Sequence, residues 1–111
     1  MNDFDFKKSL GQNFLTDNNI VRKIADAIDY KENNLVIEIG PGAGALTSEL
    51  LNKADFAILY EIDTRLKEIL ENKLCNYDNY EIIFGDFLER NVISDLEKHN
   101  YNLSSIYIIT Y

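Results

Sequence analysis

Apolar and polar positions alternate along this chain in blocks of two periods, and the blocks take turns. Residues Ile20, Val21, Ile24, Ala25 and Ile28 recur at helical spacing, so they predict a helix with one buried face, with Thr16 or Asp17 as its N-cap. A polar turn over 31–34 leads into a continuous apolar run, Leu35-Val36-Ile37, that reads as a strand ending near Ile39. A second helix is expected from Ala45 to about Asn52-Lys53, and a second strand over 56–60. Asp63 or Thr64 caps a third helix, with Leu66, Ile69, Leu70 and Leu74 on its buried side. The polar residues 76–79 turn the chain into a third strand, Glu81-Ile82-Ile83-Phe84. A loop (Gly85 to Leu88), a weaker helix around 92–98 and a fourth strand, Ile106 to Ile109, complete the pattern.

Strands that alternate with helices require right-handed crossovers and give a parallel sheet. The expected fold is therefore α/β, a Rossmann-like doubly wound parallel sheet in the spatial order 3-2-1-4. Its ligand site should lie at the carboxyl ends of the strands, beside the switch point between strands 1 and 4. Glu38 and Gly40, Glu61, and Asp86 all fall at such ends.

The turn after the first strand carries the chemistry. Glu38-Ile39-Gly40-Pro41-Gly42-Ala43-Gly44 joins a strand to a helix, and its glycines allow a sharp reversal with bare backbone against a ligand. Glu61, 21 residues beyond Gly40, is placed to accept from both hydroxyls of a ribose. Together they read as a cradle for an adenosine-bearing cofactor. A dinucleotide stays open, because Gly40-x-Gly42-x-x-Ala45 can be laid on that fingerprint. S-adenosylmethionine fits better on three counts. Pro41 removes a donor that a phosphate would use. The stretch from Glu38 to Asn52 holds two acids and no base, which suits a ligand bearing sulfonium and ammonium charges. Asp86 offers an acceptor for the exocyclic amine of adenine.

Composition narrows the setting. The chain has 111 residues, enough for one small domain (1–111), and its 46% hydrophobic content is that of a packed globule. No apolar run is long enough to span a membrane, no signal-peptide core is visible, and the single cysteine fits a reducing cytoplasm. The net charge of −8 speaks against a broad nucleic-acid surface, although Lys7, Lys8, Arg22 and Lys23 could form a small basic patch. Cys75 reads as a surface or packing thiol and His99 as a solvated helix terminus. No His/Cys cluster has the spacing of metal ligands.

Four motifs in order resemble the rRNA adenine N6-dimethyltransferases, the KsgA and Erm group. They are Lys7-Lys8-Ser9-Leu10-Gly11-Gln12-Asn13-Phe14-Leu15, the run from Glu38 to Thr47, Glu61-Ile62-Asp63-Thr64-Arg65-Leu66, and Gly85-Asp86-Phe87-Leu88. The wording Gly-Pro-Gly-Ala-Gly-Ala-Leu-Thr is similar to the branch that modifies the small ribosomal subunit. The resemblance implies roles. Asn13 and Leu15 would fold over the methionine side of S-adenosylmethionine, and Gly40, Gly42 and their neighbours would give the backbone approach. Glu61 would hold the ribose and Ile62 pack on the adenine. Asp86 would accept from the adenine amine, and the Phe87 amide would reach the ring nitrogen. The implied partner is small-subunit rRNA or the pre-ribosomal small subunit, whose target adenine must leave its stack to react.

In that family an Asn-Leu-Pro-Tyr loop follows the fourth strand and holds the target base, and here the sequence stops at Thr110-Tyr111. The chain thus reads as an N-terminal piece, truncated after the fourth strand and inactive alone, with no catalytic residue of its own. Two further readings are a cofactor-binding remnant or partner-dependent half, and a nicotinamide-binding module. Its fourth strand would be an apolar edge prone to self-association, and cofactor binding weak or absent.

Overall fold

The computed structural model describes residues 18–110. Helix α1 (Asn18–Asp26) precedes strand β1 (Leu35–Ile39), α2 (Ala45–Leu51), β2 (Phe56–Glu61), α3 (Lys67–Lys73), β3 (Tyr80–Phe84), α4 (Val92–Glu97) and β4 (Ile106–Thr110). Three single 3-10 turns, Thr64–Leu66, Phe87–Glu89 and Leu103–Ser105, lead into or out of these elements. The sheet is parallel throughout, in the order β3-β2-β1-β4, as the alternation of patterns requires. Leu35 stands opposite Phe56 on one side and Ile106 on the other, and Glu61 stands opposite Phe84. This register brings the ends of all four strands to one rim.

Strands β1 and β2 are apolar without alternation because both of their faces are covered. Val36, Ala57 and Leu59 point into a core shared with Val21 and Ala25 of α1, Leu46 and Leu50 of α2, and Leu70 of α3. Leu35, Ile37, Ile58 and Tyr60 fill the opposite face, against Leu96 of α4. The Tyr107 hydroxyl donates to the Asp29 carbonyl at 2.7 Å and accepts from the Lys31 amide at 3.1 Å, tying β4 to the loop ahead of β1.

Three expectations need correction. Asp63 caps as foreseen, accepting from the Arg65 amide at 3.0 Å, but what it caps is a 3-10 turn. Three residues per turn shift the phase of the stripe that follows. Leu70 and Leu74 are buried, whereas Ile69 is 51% exposed. His99 is not solvated either. Its ring lies 4.7 Å from that of Phe56, and its side chain is only 17% exposed. Further, Gly85 to Leu88 is not plain loop, since the second 3-10 turn begins at Phe87. The proposed caps Thr16 and Asp17 lie outside the described residues. Among the described residues no helix is long and apolar enough to cross a membrane.

Candidate functional site

The turn from β1 to α2 runs through three glycines with positive φ: Gly40 at 77°, Gly42 at 59° and Gly44 at 90°. A Cβ on Gly40 or Gly42 would meet nothing within 4 Å, so conformation alone demands glycine there, and the space outside stays open. Gly44 is constrained twice. A Cβ there would also stand 3.1 Å from Leu70 Cδ2 and 3.2 Å from Lys73 Cγ, so α3 packs directly on the turn. The Gly40 amide donates to the Tyr60 carbonyl at 2.8 Å, which continues the β1–β2 ladder to the rim.

Two acids brace the turn from different sides. Glu61, 5% exposed, accepts from the Gly42 amide through one oxygen and from the Asp63 amide through the other, both at 3.0 Å. Glu38, 3% exposed, lies under the turn with the Thr47 hydroxyl of α2 at 2.7 and 2.9 Å from its two oxygens. Burial, reinforced by the nearby Glu61 charge and opposed by the Thr47 contact, pushes the Glu38 carboxyl up to about 7.

Beyond the turn, a hollow of about 360 Å³ opens at the strand ends. That lies within the usual ~300–1,000 Å³ of small-molecule sites. Gly40, Glu61, Ile62, Asp86 and Phe87 all line it, together with Leu88 and Thr110. Its residues include two carboxylates and no lysine or arginine. Gly42 is not among them, because its amide is turned to Glu61. Asn13 and Leu15 lie outside the described residues. Asp86 caps the second 3-10 turn, accepting from the Leu88 amide at 3.0 Å through one oxygen. The Phe87 ring meets the Tyr60 ring edge-on at 5.1 Å.

Comparison with known proteins decides the family, because the model of the ribosomal RNA adenine dimethylase family matches residues 3–110. The chain belongs to this family. Among its relatives, ribosomal RNA small subunit methyltransferase A of Staphylococcus carnosus is 45% identical over 106 residues, covering 96% of this chain and 36% of the relative. The protein of that name from Staphylococcus aureus is 44% identical with the same coverage. This chain therefore spans about a third of the length of these curated relatives. Of solved structures, the 23S rRNA methyltransferase ErmE superposes with a TM-score of 0.65 at 29% identity, covering 87% of this chain and 47% of that one. A dimethyladenosine transferase from Plasmodium falciparum gives 0.59 at 34% identity, over 65% of this chain and 27% of the other. The likeness to the small-subunit branch, read from the glycine motif, agrees with these identities, and the α/β fold agrees with both structures.

Sequence reasoning passed over two buried residues beside this site. Thr47 reads as an ordinary helix residue and is fully buried on Glu38. Asp95 of α4 is 4% exposed, and Arg90 and Tyr60 both donate to it. No periodic pattern marks a buried acid, but its spacing of five from Arg90 was available as a hint of pairing.

Proposed function

We propose that the hollow binds S-adenosylmethionine and that the protein serves the dimethylation of adenine N6 in small-subunit rRNA, in the cytoplasm. One observation carries the reading: Gly40, Glu61 and Asp86, distant in sequence, border a single hollow at the carboxyl ends of β1, β2 and β3. In it the ribose hydroxyls donate to the outward lone pairs of Glu61. The exposed Ile62 lies along one face of the adenine. The free oxygen of Asp86 accepts from the exocyclic amine, and the Phe87 amide donates to a ring nitrogen. Gly40 lets the cofactor approach the backbone. Asn13 and Leu15 take the methionine side. A lining with acids and no bases favours a cationic methyl donor over a pyrophosphate. The names of the relatives supply the substrate class, since they are small-subunit rRNA methyltransferases.

Calorimetric titration of the 111-residue chain tests this. S-adenosylhomocysteine is expected to bind weakly, with Kd above about 1 μM, and NAD not at all. Binding of NAD but not S-adenosylhomocysteine would overturn the reading. Without the rest of the length its relatives have, the chain is expected to transfer no labelled methyl groups to immature small subunits; turnover by the chain alone would contradict that.

Self-association belongs to the same proposal. In the described sheet β4 pairs only with β1, and Ile108 is 59% exposed. An apolar edge of this kind templates pairing with another chain. Sedimentation velocity should show mass rising with concentration, and a monomer at every concentration would refute it.

A further inference from the structure

Behind the hollow, a buried acid joins two elements that the cofactor reading treats separately. Asp95 Oδ2 accepts from the Tyr60 hydroxyl at 2.8 Å and from Arg90 Nε at 3.3 Å, while Oδ1 accepts from Arg90 Nη2 at 2.6 Å. Tyr60 is the wall of the hollow on β2, and its ring props Phe87 edge-on. Arg90 closes the turn that carries Asp86 and Phe87. Its amide donates to the Phe87 carbonyl at 3.3 Å, and its Cδ lies 3.7 Å from where a Cβ on Gly85 would stand. The 85–90 turn is therefore held at its start by the Gly85 amide on the Glu61 carbonyl, at 2.9 Å, and at its end by Arg90 on Asp95.

We infer that Asp95 is a positioning residue for adenine recognition: by clamping Arg90 and Tyr60 together it fixes where Asp86 and the Phe87 amide stand in the hollow. The inference rests on the cofactor reading above and goes beyond it, since Asp95 does not line the hollow. The Tyr60 bond fastens α4 to the sheet, and the Arg90 bonds carry that attachment on to the residue that ends the 85–90 turn. Here the charge of Arg90 holds the Asp95 carboxyl below the usual carboxylate range, and Tyr60 adds to it. The acid is thus ionised and doubly engaged whenever the turn is in place. Preorganisation of this kind sharpens selectivity, because an acceptor fixed in space cannot swing to suit a different ligand edge.

Selectivity between two purines is the readout, because loss of fold alone would not move it. S-adenosylhomocysteine and S-inosylhomocysteine differ in the 6-amino donor that Asp86 would accept and a 6-oxo group that it would repel. The protein is expected to prefer the adenosyl ligand by about ten-fold or more, the usual worth of a hydrogen bond to a charged acceptor. Tyr60→Phe/Arg90→Met/Asp95→Leu replaces the whole network with apolar groups, leaving no unpaired buried charge to unfold the domain. Its preference should fall below about three-fold. Asp95→Asn, close in shape, should lose selectivity in the same direction and serves if the triple variant does not fold. A folded variant without the Asp95 charge that keeps the full preference overturns the inference alone. A parent chain that binds neither ligand overturns the cofactor reading, and this inference with it.

Discussion

Glu38→Gln is expected to gain stability over the parent chain as pH rises, with the full difference reached just above pH 7. A single hydroxyl proton cannot satisfy two carboxylate oxygens, yet Thr47 Oγ1 lies within hydrogen-bond distance of both. The Thr47 hydroxyl therefore favours the ionised form only in part. Ionised Glu38 remains a charge buried in a site with 3% exposure, close to a second carboxylate. The folded state therefore holds a proton that the unfolded chain releases at its ordinary pKa. The carboxyl rises from 4.5 to about 7 on folding. Its contribution is complete below pH 4.5, erodes as pH climbs, and is gone once pH passes the folded value. Glutamine carries no proton to lose. The stability difference between variant and parent should thus change by roughly 3 kcal/mol across the window, at about 1.4 kcal/mol per pH unit. Urea denaturation of both proteins at several pH values from 4 to 8 measures it. A difference that stays constant with pH would show that Glu38 is already ionised in the fold.

The strands and their order were legible because each signal was local and redundant. The apolar runs at 35–37 and 56–60, each followed by a polar turn and a helical stripe, admit few topologies, and the observed sheet is one of them. The convergence of Gly40, Glu61 and Asp86 followed from the same topology, since each ends a strand. What remained hidden depended on the rotation of single helices. In α4 Ile93 is 71% exposed whereas Asp95 is buried. That helix has six residues, too few for its apolar face to set its orientation, so the Asp95 bonds to Tyr60 and Arg90 set it instead. In α3 the leading 3-10 turn rotated Ile69 out. His99 follows α4 and is drawn against Phe56 by the same packing. Such partners lie 35 and 43 residues away, and periodicity has no access to them.

Glu61→Gln is expected to damage fold and binding together, although it looks like a mild substitution. The carboxylate bridges two amide donors, Gly42 from the glycine turn and Asp63 from the turn after β2, each at 3.0 Å. A carboxamide offers one acceptor and one N–H₂ donor. Whichever way it is turned, a donor faces either the Gly42 or the Asp63 amide. One amide in a site of 5% exposure then loses its partner, which costs about 1–3 kcal/mol. The chain there has little freedom to adapt, because Gly44 is wedged against Leu70 and Lys73 of α3. In the proposed bound state the outward lone pairs of Glu61 would also accept from the ribose hydroxyls. Replacing a charged acceptor for two hydroxyls removes roughly 3 kcal/mol, or about 100-fold in Kd for S-adenosylhomocysteine. Glu71→Gln, an exposed acid on α3 outside the hollow, is the control and should leave both quantities unchanged. Urea midpoints and calorimetry on the three proteins separate the two effects. An unchanged midpoint in Glu61→Gln would refute the bridge between the turns, and an unchanged Kd would refute the ribose role. Glu61 closes the turn through its bonds to the Gly42 and Asp63 amides and also lines the hollow, so on the proposed reading the two losses are expected to arrive in the same variant.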